Sequence, residues 1–225
     1  MDGNGRWAKA RGKARLSGHR AGADALERML GYCNDAGVKY LTVYAFSTEN
    51  WKRSQAEVSG LMKLLSGFVH SKEKMLVKNK VRFRVIGRRA DLSAKLQREL
   101  AALEEKTAHF DRQLIVALSY GGRAEIVDAA VRFADIVRAG IPSDHAEAER
   151  LFASCLYAPD VPDPDLLIRT SGECRISNFL LWELAYTEFY FTDTLWPDFS
   201  REDFDRALES YAHRERRMGG RLETK

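Results

Sequence analysis

Short apolar runs alternate along the chain with longer stretches in which apolar residues recur every three or four positions. The short runs are rich in β-branched and aromatic residues, which favours strands. The predicted strands are residues 38–46, 81–86, 113–119, 165–169 and 188–192. The longer stretches predict helices over residues 19–36, 56–78, 91–106, 123–138, 144–156 and 201–217. This alternation predicts an α/β fold with one central, mostly parallel sheet covered by helices on both faces.

The chain reads as a single domain over residues 1–225. No internal repeat, low-complexity tract or linker rich in proline and glycine interrupts the pattern. The length also fits, because single domains extend to roughly 250 residues before they split. Ser200 is a good N-cap for the last predicted helix, which Glu202 and Asp203 support from its first turn.

The predicted helix 56–78 carries one continuous apolar stripe. Its members fall at helical spacing and are Val58, Leu61, Met62, Leu65, Phe68 and Val69. The simpler interpretation is that the stripe packs on the sheet. The alternative is that part of it lines a long apolar pocket, and periodicity alone does not separate the two.

Composition excludes several classes of protein. Hydrophobic residues make up 45% and charged residues 30% of the chain, as in an ordinary soluble globule rather than a disordered chain. The net charge of +4 is too low for a dedicated nucleic-acid binder, so no nucleic-acid partner is expected. A basic RNA-binding domain would also need a dense Lys/Arg stripe with interleaved aromatic residues.

Cysteine usage and hydropathy indicate a reducing compartment. The three cysteines, Cys33, Cys155 and Cys174, are far apart and form no C-x-x-C pair, so neither a zinc site nor a disulfide framework is expected. No apolar run approaches the ~20 residues that span a bilayer. The polar, basic beginning of the chain has no signal-peptide pattern. We therefore expect a cytoplasmic location.

Glycine, serine and arginine recur directly after the predicted strands. They occur in residues 47–53, 120–123 and 170–178. Ligands of open α/β sheets bind at the carboxyl ends of strands. Because glycine lets backbone N–H groups approach an anion and arginine offers two donors, the pattern predicts a phosphorylated substrate.

The first residues add a second candidate for anion and metal binding. Two glycines bracket Asn4, which predicts a tight turn with exposed amides, although such a string is also an ordinary surface turn. Asp2 is a candidate ligand for Mg²⁺, which prefers a carboxylate together with phosphate oxygens. Arg15 and His19 are four residues apart and share a face if this segment is helical, either as an anion site or as solvated side chains.

Several well-known motifs are missing. The sequence contains neither a P-loop nor a G-x-G-x-x-G segment after a strand, which disfavours nucleotide-binding folds. It also lacks H-E-x-x-H and G-x-S-x-G. Without D-D-x-x-D it does not match the all-helical isoprenoid synthases.

Together these segments resemble the cis-prenyltransferases, most closely the bacterial undecaprenyl diphosphate synthases. The resemblance covers essentially the whole chain in order. It rests on M-D-G-N-G-R-W-A at 1–8, G-H at 18–19, Y-A-F-S-T-E-N-W-K-R at 44–53, S-Y-G-G-R at 119–123, I-R-T-S-G-E-C-R-I-S-N-F-L-L-W-E at 168–183, A-Y-T-E-F-Y-F-T-D-T-L-W-P-D-F at 185–199 and R-E-R-R-M-G-G at 214–220.

The resemblance implies an enzyme that condenses isopentenyl diphosphate repeatedly onto an allylic diphosphate, usually farnesyl diphosphate. The new double bonds are Z, and a C55 undecaprenyl diphosphate for cell-wall lipid carrier synthesis is the expected product. A shorter or medium-length product, or a non-catalytic scaffold subunit, remains an alternative. The family also implies a homodimer and, at most, peripheral contact with the inner membrane.

Site residues follow from the resemblance position by position. Asp2 matches the aspartate that positions Mg²⁺, and Glu188 matches a second carboxylate of the metal site. Asn50 matches the position proposed as proton acceptor. The matched substrate-binding residues are Gly3, Asn4, Gly5, Arg6, Trp7, Arg15, His19, Ser47, Thr48, Glu49, Trp51, Arg53, Arg169, Arg175, Ile176 and Ser177. Arg217-Met218-Gly219 matches an element that reaches the partner subunit's site.

One feature departs from the family. Its members carry an apolar strand directly before the segment that begins here at Met1, and this sequence begins without it. We therefore expect Asp2 to lie at a chain end, where chains tend to fray.

Overall fold

A parallel sheet of three strands forms the centre of the fold. The computed structural model describes residues 1–138, 140 and 142–214. The strands are β1 (Tyr40–Ser47), β2 (Val81–Ile86) and β3 (Arg112–Tyr120), in the order β1-β3-β2. Leu114, Val116 and Leu118 of β3 face the larger core, and Ile115 and Ala117 face the opposite one. The central strand is thus apolar on both faces, as a strand covered by helices on both sides must be.

Helices cover this sheet from both sides. Their bounds are α1 (Asn4–Ala10), α2 (Arg15–Asp35), α3 (Gln55–Lys78), α4 (Ala94–Thr107), α5 (Gly122–Ile136), α6 (His145–Ala153) and α7 (Arg201–Ala212). Short 3₁₀ turns occupy Thr48–Lys52, Arg89–Asp91 and Trp196–Asp198. Helices α2, α3, α4 and α7 supply the larger core, whereas α5 and α6 pack around a smaller cluster. Within the described residues, none of these helices combines the length and apolar character that crossing a membrane requires.

The predicted α/β class is confirmed, but the strands form two sheets. β4 (Leu166–Arg169) and β5 (Glu188–Phe191) pair in parallel as a separate two-stranded sheet. In the described part of the chain no strand lies between β1 and β4, so the two ladders do not join. The predicted strand 81–86 coincides with β2, and the other predicted strands shift by one or two residues.

The predicted tight turn at the beginning of the chain is wrong, because this segment starts a helix. Gly3 has φ +100, a conformation that suits glycine, and α1 begins at the next residue. Gly18 and Gly22 of α2 let α1 come close, since a Cβ at Gly18 would lie 2.0 Å from the backbone oxygen of Asn4. Close packing against a second helix is a tertiary effect that the local turn pattern does not reveal.

The expected fraying of Asp2 is also wrong, since its backbone is held on both sides. Its N–H donates to Thr170 Oγ1 at 3.0 Å, and its carbonyl accepts from the same hydroxyl at 2.8 Å. The carbonyl also accepts from Trp196 N–H at 3.0 Å. Asp2 is thereby joined to the end of β4.

The last helix begins as predicted and ends earlier. Ser200 accepts a hydrogen bond from Asp203 N–H and forms a capping box with its side chain. Helix α7 ends at Ala212, whereas the prediction extended it to residue 217. Residues 215–217 and the matched Arg217-Met218-Gly219 element lie outside the described residues.

The packing of α1 on α2 is testable with two glycine substitutions in the same helix. We expect Gly18→Ala to lower the free energy of unfolding by about 2 kcal/mol, because the new methyl group overlaps the backbone of Asn4. Gly31→Ala is the matched control: its methyl group meets open space, and it should raise stability by up to about 1 kcal/mol. Urea unfolding measures both. A Gly18→Ala protein as stable as the wild type would contradict this packing.

Candidate active site

A cavity of about 1740 Å³ reaches the carboxyl ends of β1 and β4. Sites for small ligands usually occupy roughly 300–1,000 Å³, so this space is large. Residues of both strands line it along their whole length, and part of the volume therefore lies between the two sheets. The lining residues Arg6, Arg15 and Arg175 are exposed to solvent, so the mouth of the cavity is positively charged. The lining residues Val43, Phe46 and Leu118 are buried, so its deeper walls are apolar. The predicted site residues are best judged by their place around this cavity.

Asp2 presents an ionised carboxylate at the mouth. Its Oδ1 accepts from Gly3 N–H at 2.8 Å, and its Oδ2 accepts from Arg169 at 3.1 Å. Burial acts to raise the pKa of Asp2, but these two hydrogen bonds outweigh it and hold the pKa below its usual range. The side chain is still 44% exposed. One side of the carboxylate thus remains open toward the cavity.

Arg169 organises the loop that follows β4. Its side chain is only 14% exposed and donates to Ser177 Oγ at 3.0 Å and to the backbone oxygen of Arg175. The same guanidinium holds Asp2. Ile176 lies between the two loop contacts and also lines the cavity. Arg169 therefore fixes the relative positions of the predicted metal ligand and the predicted isopentenyl site.

Arg6 and Arg175 share a carboxylate that sequence reasoning missed. Arg6 donates to Glu173 Oε1 at 3.0 Å and to Ser171 O at 2.9 Å. Arg175 donates to the other oxygen of Glu173 at 2.5 Å. Glu173 therefore forms ion pairs with both arginines, which the sequence assigns to phosphate binding. Its position two residues before Arg175 in the T-S-G-E-C-R segment is the available signal.

A second positive cluster lies where α2 faces the beginning of α3. Glu57 accepts from Arg53 at 2.8 Å and lies 3.4 Å from Arg15 Nε, so two arginines share one carboxylate. Burial lowers the pKa of His19, and the nearby Arg53 and Arg15 lower it further. Within the described residues, His19 Nε2 is buried without a hydrogen-bond partner. The cluster thus offers excess positive charge and an unused polar atom to a ligand.

The segment after β1 is a short 3₁₀ turn held by its own side chains. Asn50 Oδ1 accepts from Ser47 N–H at 3.1 Å, and its backbone oxygen accepts from Arg53 N–H at 3.0 Å. Glu49 accepts from Asn178 Nδ2 at 2.9 Å, which links the turn to the loop after β4. Ser47, Glu49 and Asn50 line the cavity.

Most predicted site residues do come together at the cavity. Those that line it are Asp2, Gly3, Asn4, Gly5, Arg6, Arg15, His19, Ser47, Glu49, Asn50, Arg53, Arg169, Arg175, Ile176 and Ser177. Trp7, Thr48, Trp51 and Glu188 do not line the cavity as the structure describes it. Trp7 instead donates to Asp198 Oδ1 at 2.6 Å and stacks under Arg11. Thr48 lies against Gly121.

Glu188 lies apart from Asp2. It pairs with Leu166 at the beginning of β4, whereas Arg169 and Asp2 are at the other end of that strand. Its Oε2 accepts from Arg214 at 2.6 Å. No group of three His, Cys, Asp or Glu side chains suited to a metal ion occurs within the described ranges. The role of Glu188 as a metal ligand stays a prediction.

Backbone amides after β3 and β4 are less available than the sequence predicted. Gly122 N–H and Arg123 N–H donate to the backbone and side-chain oxygens of Asn178 at 2.7 and 2.9 Å. Ser171 and Gly172 donate to backbone oxygens of the segment after β5. These amides are satisfied within the fold, so anion recognition in these two loops falls to side chains.

The loop after β4 holds an unusual number of strained residues. Ser171, Ser177, Asn178 and Leu180 all have positive φ, at 75°, 49°, 65° and 44°. Non-glycine residues rarely adopt this conformation, and such strain is concentrated at functional sites. The sequence carries no signal for it, because none of these positions is glycine.

The apolar stripe of α3 both packs in the core and lines the cavity, which are the two alternatives that its spacing left open. Phe68 and Val69 are buried in the larger core. Leu61, Met62, Leu65 and Phe68 also line the cavity. The stripe therefore packs on the sheet and forms an apolar wall.

Sequence reasoning also missed a pair of carboxyl groups at the edge of the cavity, in which Glu125 is buried and Glu183 is half-buried. Glu125 accepts from Tyr157 N–H at 2.8 Å and from the Tyr120 hydroxyl. Glu183 lies against it, and burial together with the charge of Glu125 raises the pKa of Glu183 to about 7. Glu125 falls inside the predicted helix 123–138 and Glu183 lies beyond the loop 170–178, so neither belongs to a predicted loop at a strand end.

Comparisons with known proteins show the family of the chain. A family model described as "Putative undecaprenyl diphosphate synthase" matches residues 1–219. The isoprenyl transferase of Fusobacterium nucleatum is 55% identical over 98% of this chain and 93% of its own length. The ditrans,polycis-undecaprenyl-diphosphate synthase ((2E,6E)-farnesyl-diphosphate specific) of Salmonella typhi is 47% identical, covering 98% of this chain and 88% of that protein.

A solved structure is similar as well. Lavandulyl diphosphate synthase from Lavandula x intermedia, in complex with dimethylallyl diphosphate, superimposes with a TM-score of 0.90. It is 38% identical, and the match covers 96% of this chain and 94% of the other.

The carboxyl pair predicts a pH-dependent contribution to stability. Glu183 binds its proton more tightly in the folded state, so the folded protein loses stability as pH rises from about 4.5 to about 7. Glu183→Gln removes this loss. We expect the free energy of unfolding of Glu183→Gln minus that of the wild type to rise by about 2 kcal/mol between pH of about 4.5 and about 7.

Urea unfolding at several pH values measures the difference. Glu149→Gln, an exposed position on α6, is the control and should follow the wild type. If the free energies of unfolding of Glu183→Gln and the wild type changed equally with pH, the raised pKa of Glu183 would be contradicted.

Proposed function

Because the chain belongs to the undecaprenyl diphosphate synthase family, we propose that it condenses isopentenyl diphosphate onto farnesyl diphosphate with Z stereochemistry. Repetition of this step gives a C55 undecaprenyl diphosphate. The observation that carries the proposal is the cavity, which joins an arginine-rich mouth to an apolar interior. A prenyl diphosphate has the same division into a charged head and a hydrocarbon tail.

In this proposal the allylic diphosphate binds near the first residues of the chain. Arg6 and the Arg15–Arg53 pair supply the positive charge, and the unpartnered Nε2 of His19 supplies a further polar contact. Arginine suits this task because its planar fork matches two phosphate oxygens. The diphosphate displaces Glu173 and Glu57 from these arginines, since it carries more negative charge than either carboxylate.

Isopentenyl diphosphate binds beside the loop after β4. Arg175 is exposed enough to turn from Glu173 to a ligand, and Ser177 offers its hydroxyl next to Arg169. Arg169 contacts both Asp2 and Ser177, so Asp2 lies between the two proposed subsites. The two diphosphates thus lie on opposite sides of one carboxylate.

The residues present fit a magnesium ion at Asp2. Its carboxylate is ionised and partly exposed, and Mg²⁺ commonly binds one or two carboxylates together with phosphate oxygens and water. Such an ion, when bound, offsets the negative charge that develops on the departing diphosphate. The arginines at the mouth stabilise the same charge, because they are already oriented by hydrogen bonds before the reaction.

Proton loss from the new carbon–carbon adduct needs only a weak base. Asn50 is a poor base by pKa, and its amide oxygen already accepts from Ser47 N–H. We therefore assign Asn50 to positioning at the cavity wall. The departing diphosphate or a water accepts the proton in this scheme.

The growing tail occupies the apolar part of the cavity. Helix α3 forms one wall with Leu61, Met62 and Leu65. Burial of each CH₂ is favourable by about 0.8 kcal/mol, so a long product is held firmly. This supports slow release of the product.

The finer features of the family complete the proposal. They are a homodimer, a cytoplasmic enzyme with at most peripheral contact with the inner membrane, and a product used as a cell-wall lipid carrier. Glu188 and Asp2 lie at opposite ends of β4, so the proposed metal role of Glu188 depends on a rearrangement or on the partner subunit.

A second candidate is the synthesis of a shorter prenyl diphosphate. The similarity to lavandulyl diphosphate synthase favours it, because that enzyme has the same fold and was solved with dimethylallyl diphosphate. A scaffold subunit without activity is less well supported, because the charged residues assigned to the reaction are all present.

A product assay tests the proposal. The protein is incubated with farnesyl diphosphate, labelled isopentenyl diphosphate and Mg²⁺, with an EDTA control, and products are identified by mass spectrometry. We expect a magnesium-dependent ladder that ends at C55. A single short product would support the second candidate, and binding of farnesyl diphosphate without any product would indicate a scaffold subunit.

The role of Asp2 is testable in the same assay. We expect Asp2→Ala to lower turnover more than about a hundredfold while farnesyl diphosphate still binds, because the arginines remain. Asp135→Ala removes an exposed carboxylate from α5 and is the matched control. Near-normal turnover of Asp2→Ala in magnesium would contradict the assignment.

A further inference from the structure

Trp51 is turned toward the core although its neighbours line the cavity. Its Nε1 donates to Ser119 Oγ at 2.8 Å. Its ring packs edge-on against Phe46, with the centroids 5.0 Å apart and the planes at 74°. Asn50 and Arg53, on either side of it, line the cavity. Trp51 therefore anchors this segment instead of forming part of the cavity wall.

Ser119 connects Trp51 to Asp91 in the 3₁₀ turn Arg89–Asp91. Its hydroxyl is fully buried and donates to Asp91 Oδ2 at 2.5 Å. A serine hydroxyl has a single hydrogen, so it donates to Asp91 while it accepts from Trp51. Besides the backbone pairing of β1 with β3, side chains thus link the segment after β1, the end of β3 and the 3₁₀ turn before α4.

The backbone around Ser119 is shaped for this contact. Ser119 has φ +46, a left-handed conformation that a serine rarely adopts. Its carbonyl accepts from Arg88 N–H at 3.1 Å. Gly87 has φ +119, and a Cβ there would lie 2.1 Å from Leu118 O. This close approach of β3 to the segment after β2 brings Asp91 to Ser119.

We propose that Ser119 and Asp91 are positioning residues that act through Trp51 to hold Asn50 and Arg53 at the cavity wall. Neither Ser119 nor Asp91 lines the cavity as the structure describes it. They therefore influence the reaction only by fixing the segment Ser47–Arg53. The catalytic part of this inference rests on the proposed function.

Three variants separate positioning from general stability. Ser119→Ala removes the hydroxyl, Asp91→Ala removes its acceptor, and Asp91→Asn keeps an oxygen that accepts from Ser119. Asp91 is exposed, so its variants are expected to fold even if Ser119→Ala does not. Thr107→Val is the stability control, because it deletes an equally buried hydroxyl that accepts from Phe83 N–H at the beginning of β2.

The kinetic readout is kcat measured separately from KM. We expect kcat to fall about tenfold in Ser119→Ala and about threefold in Asp91→Ala. KM should rise less than kcat falls, and only for the allylic substrate, because Arg53 contributes to its binding in the proposed function. Asp91→Asn should restore kcat to near the wild-type value. Thr107→Val should lower the urea midpoint without this loss of kcat. Equal losses of kcat in Thr107→Val and Ser119→Ala would overturn the proposal.

The second readout is the fluorescence of Trp51, which needs no substrate. It is obtained as the difference from Trp51→Phe, and we expect emission to shift to longer wavelength in Ser119→Ala and Asp91→Ala. An unchanged Trp51 emission would overturn the anchor even if the protein elongates prenyl chains. A shifted emission in a protein that makes no product would support the anchor and contradict only the proposed function.

Discussion

The joint between the first residues of the chain and the end of β4 is the contact on which the candidate site depends. Asp2 exchanges two backbone hydrogen bonds with the Thr170 hydroxyl, and its carboxylate holds Arg169. Arg6 continues the joint through Ser171. These contacts bridge more than 160 positions of sequence and bring the proposed metal ligand, the proposed head-group arginines and the isopentenyl loop to one place. Without the joint, nothing in these contacts would hold Asp2 and Arg6 beside the loop after β4.

Carboxylates hold the arginines of the site in the free protein. In the proposed function, a diphosphate, which carries more negative charge, replaces these carboxylates. Glu173 lies between Arg6 and Arg175, and Glu57 lies between Arg53 and Arg15. Such partly exposed ion pairs contribute little to stability, commonly under about 1 kcal/mol. They do, however, restrict the arginine side chains, so less conformational freedom is lost when a diphosphate replaces the carboxylate. In the proposed function, the same pairs therefore prepare the site for an anion.

Local patterns predicted the elements and most residues of the site, but not how those residues are held. The buried strand β3 and the N-cap at Ser200 follow from short-range apolar and capping patterns, so sequence reasoning found both. The resemblance supplied the roles of Asp2 and Arg169. The inward turn of Trp51 and the pairing of Glu173 depend on partners far away in the sequence. The separation into two sheets likewise depends on which strands become neighbours, which local propensity does not determine.

In the proposed function, one cavity binds a charged head at its mouth and a hydrocarbon tail in its apolar interior. Calorimetric titration of the protein with inorganic diphosphate, dimethylallyl diphosphate and farnesyl diphosphate in Mg²⁺ tests it most directly. Because each buried CH₂ contributes about 0.8 kcal/mol, farnesyl diphosphate should bind at least about a hundredfold more tightly than dimethylallyl diphosphate. Equal affinities for these two ligands would mean that the tail stays outside the cavity, and would contradict the account.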